Sequence, residues 1–332
     1  MKKLITQKVI IASIVLGAVV NISWGIFGHE HINRAAVFAL PASMQGFFYN
    51  HIDYITQEST VPDVRKYTIN DKAESPRHYI DLENYAPLDS IPQTLELLKA
   101  KYPEKYINQN GILYWYLQDM MVKLTKAFKE RKKTEILFLA ADLGHYIGDA
   151  HMPLHTSANY DGQMTNQKGI HALWESRIPE LFGKNYNLQV GEAVYIENIQ
   201  QETWNIIMHS HKLVDTLLSV DKDLKSKFSK EKIYKLDNEG KPIKNKYGNL
   251  LFADSYTEEL HKALNGMVEN QMKLSIAATA SFWYTAWVNA GRPDLTSLDP
   301  AELTSRNKKN LLEELELIKT GKLFGIESEK EF

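Results

Sequence analysis

Leu143-Gly144-His145-Tyr146-Ile147-Gly148-Asp149-Ala150-His151-Met152-Pro153-Leu154-His155 lies near the middle of the chain and carries most of its chemical information. From 135 to 151 apolar residues recur at three- and four-residue spacing, the period of an amphipathic helix. On such a helix His145 and Asp149, four apart, share one face and can grip one ion. Pro153 lacks an amide hydrogen and drives the residue before it to extended backbone, so the helix ends and His155 can return toward the same face. His171-Ala172-Leu173-Trp174-Glu175 repeats the four-residue spacing with His171 and Glu175. Either pair alone also reads as a surface ion pair on a helix. Two pairs plus His155 within thirty-one residues read as a metal-ligand set. Imidazole and carboxylate without thiolate suit zinc in a hydrolytic site, with positions left open for water.

The helical period extends outward over 32–40, 45–55, 113–128, 172–182, 196–218, 260–287 and 311–318. Strand-like alternation is confined to 233–252, where Asp237-Asn238-Glu239-Gly240 and Tyr247-Gly248-Asn249 form turns of a small hairpin. The lysine-rich run 222–246 reads as a solvated surface insertion or as a basic binding patch. Pro293, after Gly291-Arg292, ends the long helix, and 298–332 is a closing helix with a charged tail. The simplest architecture is one all-α domain with a hairpin-like insertion.

The chain has 332 residues and no cysteine, so its core rests on packing, on metal, or on both. Met1-Lys2-Lys3 and Lys8 followed by twelve mainly apolar residues, 9–20, form a signal-peptide pattern too short to span a bilayer comfortably. A short membrane anchor is the competing reading of the same residues. Residues 1–23 are therefore expected to be removed, leaving 24–332 as the catalytic domain, exported to the periplasm or secreted. Their loss takes away Lys2, Lys3 and Lys8 and no acid, moving the formal charge from −2 to −5. A chain of that charge has no overall electrostatic pull toward nucleic acid.

Trp24-Gly25-Ile26-Phe27-Gly28-His29, Arg77-His78-Tyr79-Ile80-Asp81, the central segment and His171 to Glu175 occur in that order. In this set the chain resembles the superfamily of zinc-dependent phospholipases C and single-strand-specific nucleases of the S-one/P-one type, over most of its length. The resemblance implies three Zn2+ ions. One would be held by Trp24 (through its free amine and carbonyl), His29 and Asp149. A second would be held by Asp63, His78, His145 and the bridging Asp149, and a third by His155, His171 and Glu175. Asp63 lies fifteen residues before His78, as the resemblance requires, with Asp53 and Asp71 as weaker rivals.

Paired zinc ions bind phosphate oxygens and bring the pKa of a water toward neutrality, which makes phosphodiester hydrolysis the expected reaction. Asp63 is the candidate to orient that water, Asp149 the bridge, and Arg65 or Lys66 a positive clamp on the phosphate unless they are merely solvated. Asp142 and His151 are candidates to support the ligands, or else surface residues. The resemblance places Tyr79 and Asp81 where a nucleobase is held, and a tyrosine face can stack on a base. His29 five residues after Trp24, Trp174, and Asp161-Gly162 with Asn166 also resemble the nuclease branch. Glu175 in place of aspartate and the lack of cysteine resemble the phospholipase branch. Phe27 and Val64 stand where a choline pocket would need an acid and an aromatic. The expected activity is thus a zinc-dependent phosphodiesterase acting on single-stranded nucleic acid or a nucleotide. A phospholipase C acting on lipid headgroups is the alternative, and a non-catalytic zinc protein the alternative from another class. The sequence calls for no obligate protein partner.

Overall fold

The computed structural model describes residues 25–85, 87–245 and 248–320. The signal-peptide segment and Trp24 lie outside the described residues, as does the tail beyond Thr320. The major helices are α1 (Gly25–Phe38), α2 (Ala42–Asn50), α3 (Ile52–Glu58), α4 (Val61–Tyr67), α5 (Leu113–Lys129), α6 (Lys133–His151), α7 (Ile199–Lys227), α8 (Asp254–Ala263), α9 (Met267–Asn289) and α10 (Ala301–Lys319). They form one mainly helical domain. Among the described residues no helix is long and apolar enough to cross a membrane.

The central element is α6. Every residue from Ala140 to His151 is buried, so no face of that stretch meets water. A helix buried all round must be wrapped by others, and α1, α3, α5 and α9 pack against it. Trp283 of α9 stacks on Phe48 at 5.1 Å and donates its indole N–H to the Ala140 carbonyl at 2.9 Å. Helix α6 stops where expected: Met152 is extended (φ −83°, ψ 115°) ahead of Pro153.

Two glycines of α6 admit α1 at close range. A Cβ on Gly144 would sit 1.9 Å from Asn33 Oδ1, and one on Gly148 would sit 3.2 Å from His29 Nδ1. Asn33 Nδ2 uses this approach to donate to the carbonyls of Ala141 (3.0 Å) and Ile55 (3.2 Å), tying α1, α6 and α3 together.

Three stretches with helical period are interrupted. The 45–55 stretch is two helices jointed at His51 (φ −122°, ψ 23°), whose Nε2 lies 2.8 Å from Asp299 Oδ1. The 260–287 stretch divides between α8 and α9 because Asn265 and Gly266 adopt left-handed backbone (φ +48° and +78°), which caps one helix before the next begins. Between 170 and 182 the backbone passes through one π-helical turn, Leu173–Arg177. Such turns insert an extra residue and frequently mark functional sites.

Gly240 and Gly248, one from each expected turn, have positive φ (+77° and +80°). The insertion forms three short arms rather than one hairpin. Lys235 N–H bonds to Leu251 O, Ile243 N–H to Lys235 O and Leu251 N–H to Ile243 O, at 2.8–3.0 Å, closing a ring of backbone bonds. The closing helix α10 has no buried residue. Leu311 packs on the core from it, and polar contacts add to the hold: Glu314 accepts from Arg34 (3.1 Å) and Tyr49 (2.7 Å), and Asp299, just ahead of the helix, from Lys133 (2.6 Å).

Candidate metal centre

Helix α6 presents His145 and Asp149 on one face, with His145 Nε2 3.3 Å from Asp149 Oδ2. The close approach of α1 brings His29 Nε2 to 3.7 Å from Asp149 Oδ1, its ring stacked on His145 at 3.8 Å. From the turn after Ser75–Arg77, His78 Nδ1 reaches Asp149 Oδ2 (2.9 Å), His145 Nε2 (3.1 Å) and, from α4, Asp63 Oδ1 (3.7 Å). His29, Asp63, His78, His145 and Asp149 are all fully buried. His155 stands beyond Pro153 with Nδ1 3.4 Å from Asp149 Oδ1 and Nε2 3.8 Å from Glu175 Oε2. His171 Nε2 lies 2.5 Å from the same Glu175 oxygen.

These donors fall into three groups that could each hold an ion: His29, His145 and Asp149; Asp63, His78 and His145; and His155, His171 and Glu175. Ligands on one tetrahedral zinc, with bonds of roughly 2.0–2.1 Å, stand about 3.3 Å apart. The separations above scatter around that value. The two oxygens of Asp149 face different partners, as a bridging carboxylate must. Two fully buried carboxylates beside neutral rings would carry a large desolvation cost, which cations in these groups would offset. The donor set therefore fits zinc.

The rings are prepared for metal. Burial lowers His145 to about 3. Burial and then the Lys66 charge lower His78, and burial above all holds His155 well below the usual histidine range. Near neutral pH these rings keep a lone pair rather than a second proton. His171 moves the other way, because the Glu175 carboxylate outweighs the opposing effect of burial.

Each ring is also oriented from behind. His145 Nδ1 pairs with Ser59 O (2.8 Å), His155 Nδ1 with His78 O (2.7 Å) and His171 Nδ1 with Tyr160 O (2.8 Å). Ile80 N–H donates to His155 O at 2.8 Å, so the His78 and His155 segments clamp each other. Behind His78 stands Glu74, Oε1 3.4 Å from Nε2. Glu74 accepts from Arg65 Nε (3.0 Å), Arg77 Nη1 (2.8 Å) and the Tyr146 hydroxyl. Burial alone would raise its carboxyl, but His78, Tyr146 and Arg65 hold it well below the usual carboxylate range. Sequence reasoning missed Glu74, although its spacing to His78 is the same four residues seen in the two candidate donor pairs.

The remaining sequence candidates divide clearly. Asp53 and Asp71 are exposed, whereas Asp63 is buried among the donors. Arg65 does not line the cavity above the donors; it bonds Asp142 (2.6 Å) and Glu74. Asp142 is buried and pairs with that arginine, which also bonds Glu74. His151 is buried too, but its Nδ1 bonds Ile147 O at 2.8 Å. Lys66 does line the cavity; Tyr67 and Asp63 outweigh burial and keep it charged.

The cavity measures about 690 Å3. His78, His155, His171, Tyr79 and Asp81 all open onto it. The Tyr79 hydroxyl donates to the carbonyls of Asn108 and Gln109, at 3.2 Å each. Burial and the nearby Glu83 push Asp81 up to about 7. Asp161 accepts from the backbone N–H groups of Gly169 (2.9 Å) and His171 (3.3 Å), shaping the loop that delivers His171.

Residues 24–263 match the family model for S1/P1 Nuclease. That span contains every donor named above. A search of curated proteins finds no match to the chain.

Proposed function

Because the chain belongs to the S1/P1 nuclease family, hydrolases acting on phosphodiester bonds, we propose that it is a three-zinc phosphodiesterase cutting single-stranded nucleic acid or nucleotides. The observation that carries this reading is the convergence of the three donor groups beneath a cavity that also exposes Tyr79 and Asp81. Bound zinc supplies a Lewis acid for phosphate oxygens and lowers the pKa of water.

The chain's own groups have distinct tasks. Asp149 would be the carboxylate shared between two ions, its oxygens facing His29 on one side and His78 on the other. Asp63 orients the attacking water and accepts its proton. Lys66, kept charged at the cavity edge, neutralises a non-bridging phosphate oxygen. Tyr79 offers a ring face to a base, and Asp81 a hydrogen-bonding edge. A choline pocket finds no support: Phe27 stacks on His31 at 3.8 Å, and neither Phe27 nor Val64 lines the cavity. Export through 1–23 would expose the Trp24 amine as a further ligand and is part of the same proposal.

The test is purified mature protein supplied with zinc, assayed on single-stranded DNA and on phosphatidylcholine vesicles. Digestion of DNA that stops on chelation and returns with zinc supports the proposal. Release of phosphocholine without DNA cleavage would transfer the chain to the phospholipase branch.

A further inference from the structure

The insertion, by sequence a solvated appendage or a basic patch, forms a wall of the cavity. Lys235, Asn249, Leu250 and Phe252 line it, together with Arg177 from the turn that carries Glu175. The wall is fixed in three ways. The ring of backbone bonds through residues 235, 243 and 251 stiffens the arms. Phe252 packs on Gly169, two residues before His171, where a Cβ would lie 3.2 Å from the phenyl ring. Asp254, just past the third arm, accepts from Arg177 Nη2 at 2.7 Å and pairs with Lys235 Nζ at 3.1 Å. The insertion is thus clamped on both sides of the His171–Glu175 pair.

The metal-facing histidines lie between two walls. His78 adjoins Tyr79 and Asp81 in the chain, and His171 adjoins the Gly169–Phe252 contact. The chemistry of the insertion wall is close to neutral, because Asp254 and Glu180 answer Lys235 and Arg177. It presents a carboxamide at Asn249, hydrocarbon at Leu250 and an aromatic ring at Phe252. A carboxamide both donates and accepts hydrogen bonds, and an aromatic face takes another flat ring. Such a wall suits a flat, neutral, hydrogen-bonding group better than a second phosphate.

We propose that the insertion wall is a second nucleoside subsite. It holds the nucleoside across the scissile phosphate from the one beside Tyr79 and Asp81, and it selects polynucleotides over substrates with nothing on that side. The inference rests on the phosphodiesterase reading above.

The experiment compares kcat/KM on a single-stranded deoxyoligonucleotide and on the methyl esters of thymidine 3'- and 5'-phosphate, which carry no flat group across the scissile phosphate. Zinc-loaded wild type is set beside Asn249→Ala and Lys235→Ala/Asn249→Ala. Binding of a hydrolysis-resistant phosphorothioate oligonucleotide is followed by fluorescence anisotropy. Loss of the Asn249 hydrogen bond, alone or with the Lys235 cation, should lower oligonucleotide kcat/KM and affinity about tenfold, with methyl ester turnover within about twofold of wild type. Equal losses on both substrates in both variants, or no loss on either, overturn the subsite and leave the phosphodiesterase reading standing. Wild type inert on both substrates overturns that reading and the subsite with it.

Discussion

Glu74 Oε1 stands 3.4 Å from His78 Nε2, on the side of the ring away from Asp149. The same carboxylate gathers Arg65, Arg77 and Tyr146, so it joins the orientation of the His78 ring to the packing of α4 against α6. Glu74→Gln keeps the shape and removes the charge. Zinc affinity should fall about 10- to 100-fold, the usual effect of losing a partner behind a metal ligand. A competitive chelator titration checks this; unchanged affinity would restrict Glu74 to a purely structural role.

Gly144→Ala forces a Cβ to within 1.9 Å of Asn33 Oδ1. Overpacking of this kind costs about 1–3 kcal/mol, and the Asn33 bonds to α3 and α6 are strained with it. Gly148→Ala meets His29 Nδ1 at the milder distance of 3.2 Å. It should therefore lower zinc content more than stability. Urea unfolding and metal analysis of the two variants should rank them in opposite orders.

Asp149→Asn removes the charge that faces His29 on one oxygen and His78 and His145 on the other. Activity should be abolished and zinc content reduced. Full zinc content in a folded Asp149→Asn protein would deny the residue its bridging role.

The joints of the fold were harder to read than its helices. Apolar period located 113–128 and 135–151 closely, because both helices are packed along most of their length. The same period ran straight through Asn265-Gly266, where left-handed backbone ends a helix without interrupting the apolar spacing. It also ran through His51, whose departure from helix is bound up with Asp299, distant in the chain. At the site, pairs four residues apart were legible, and the structure brings both together. Glu74–His78 shares that spacing but escaped notice because Pro76 argues against a helix there; the segment is a 3-10 turn, Ser75–Arg77. Arg65 could not be told from Lys66 by sequence, since only the position of Asp142 and Glu74 draws one inward and leaves the other on the cavity.

His151 lies outside the donor groups, and burial lowers it to about 4. Its folded pKa is below its unfolded value near 6.5. Below pH 6.5 the unfolded chain therefore takes up a proton that the folded chain refuses, and stability falls as pH drops toward 4. Asp81, raised to about 7, acts in the opposite sense, since the folded state holds its proton more tightly. The difference between wild type and His151→Gln isolates the histidine. Between pH 7 and pH 5 wild type should lose about 1–2 kcal/mol more than the variant by urea unfolding, and parallel curves would exclude the effect.

Extending the mature chain by two residues ahead of Trp24 blocks the amine proposed as a ligand. Zinc content and DNA cleavage should both drop, while the unfolding midpoint of the metal-free protein stays unchanged. Full zinc loading with the extension in place would remove Trp24 from the ligand set.

The most direct test of the metal centre is zinc content by plasma mass spectrometry on the mature protein, dialysed at neutral pH. One zinc for each of the three donor groups is the expected result. A folded chain that retains no zinc after exposure to a modest excess would contradict the proposed centre and the hydrolytic chemistry built on it.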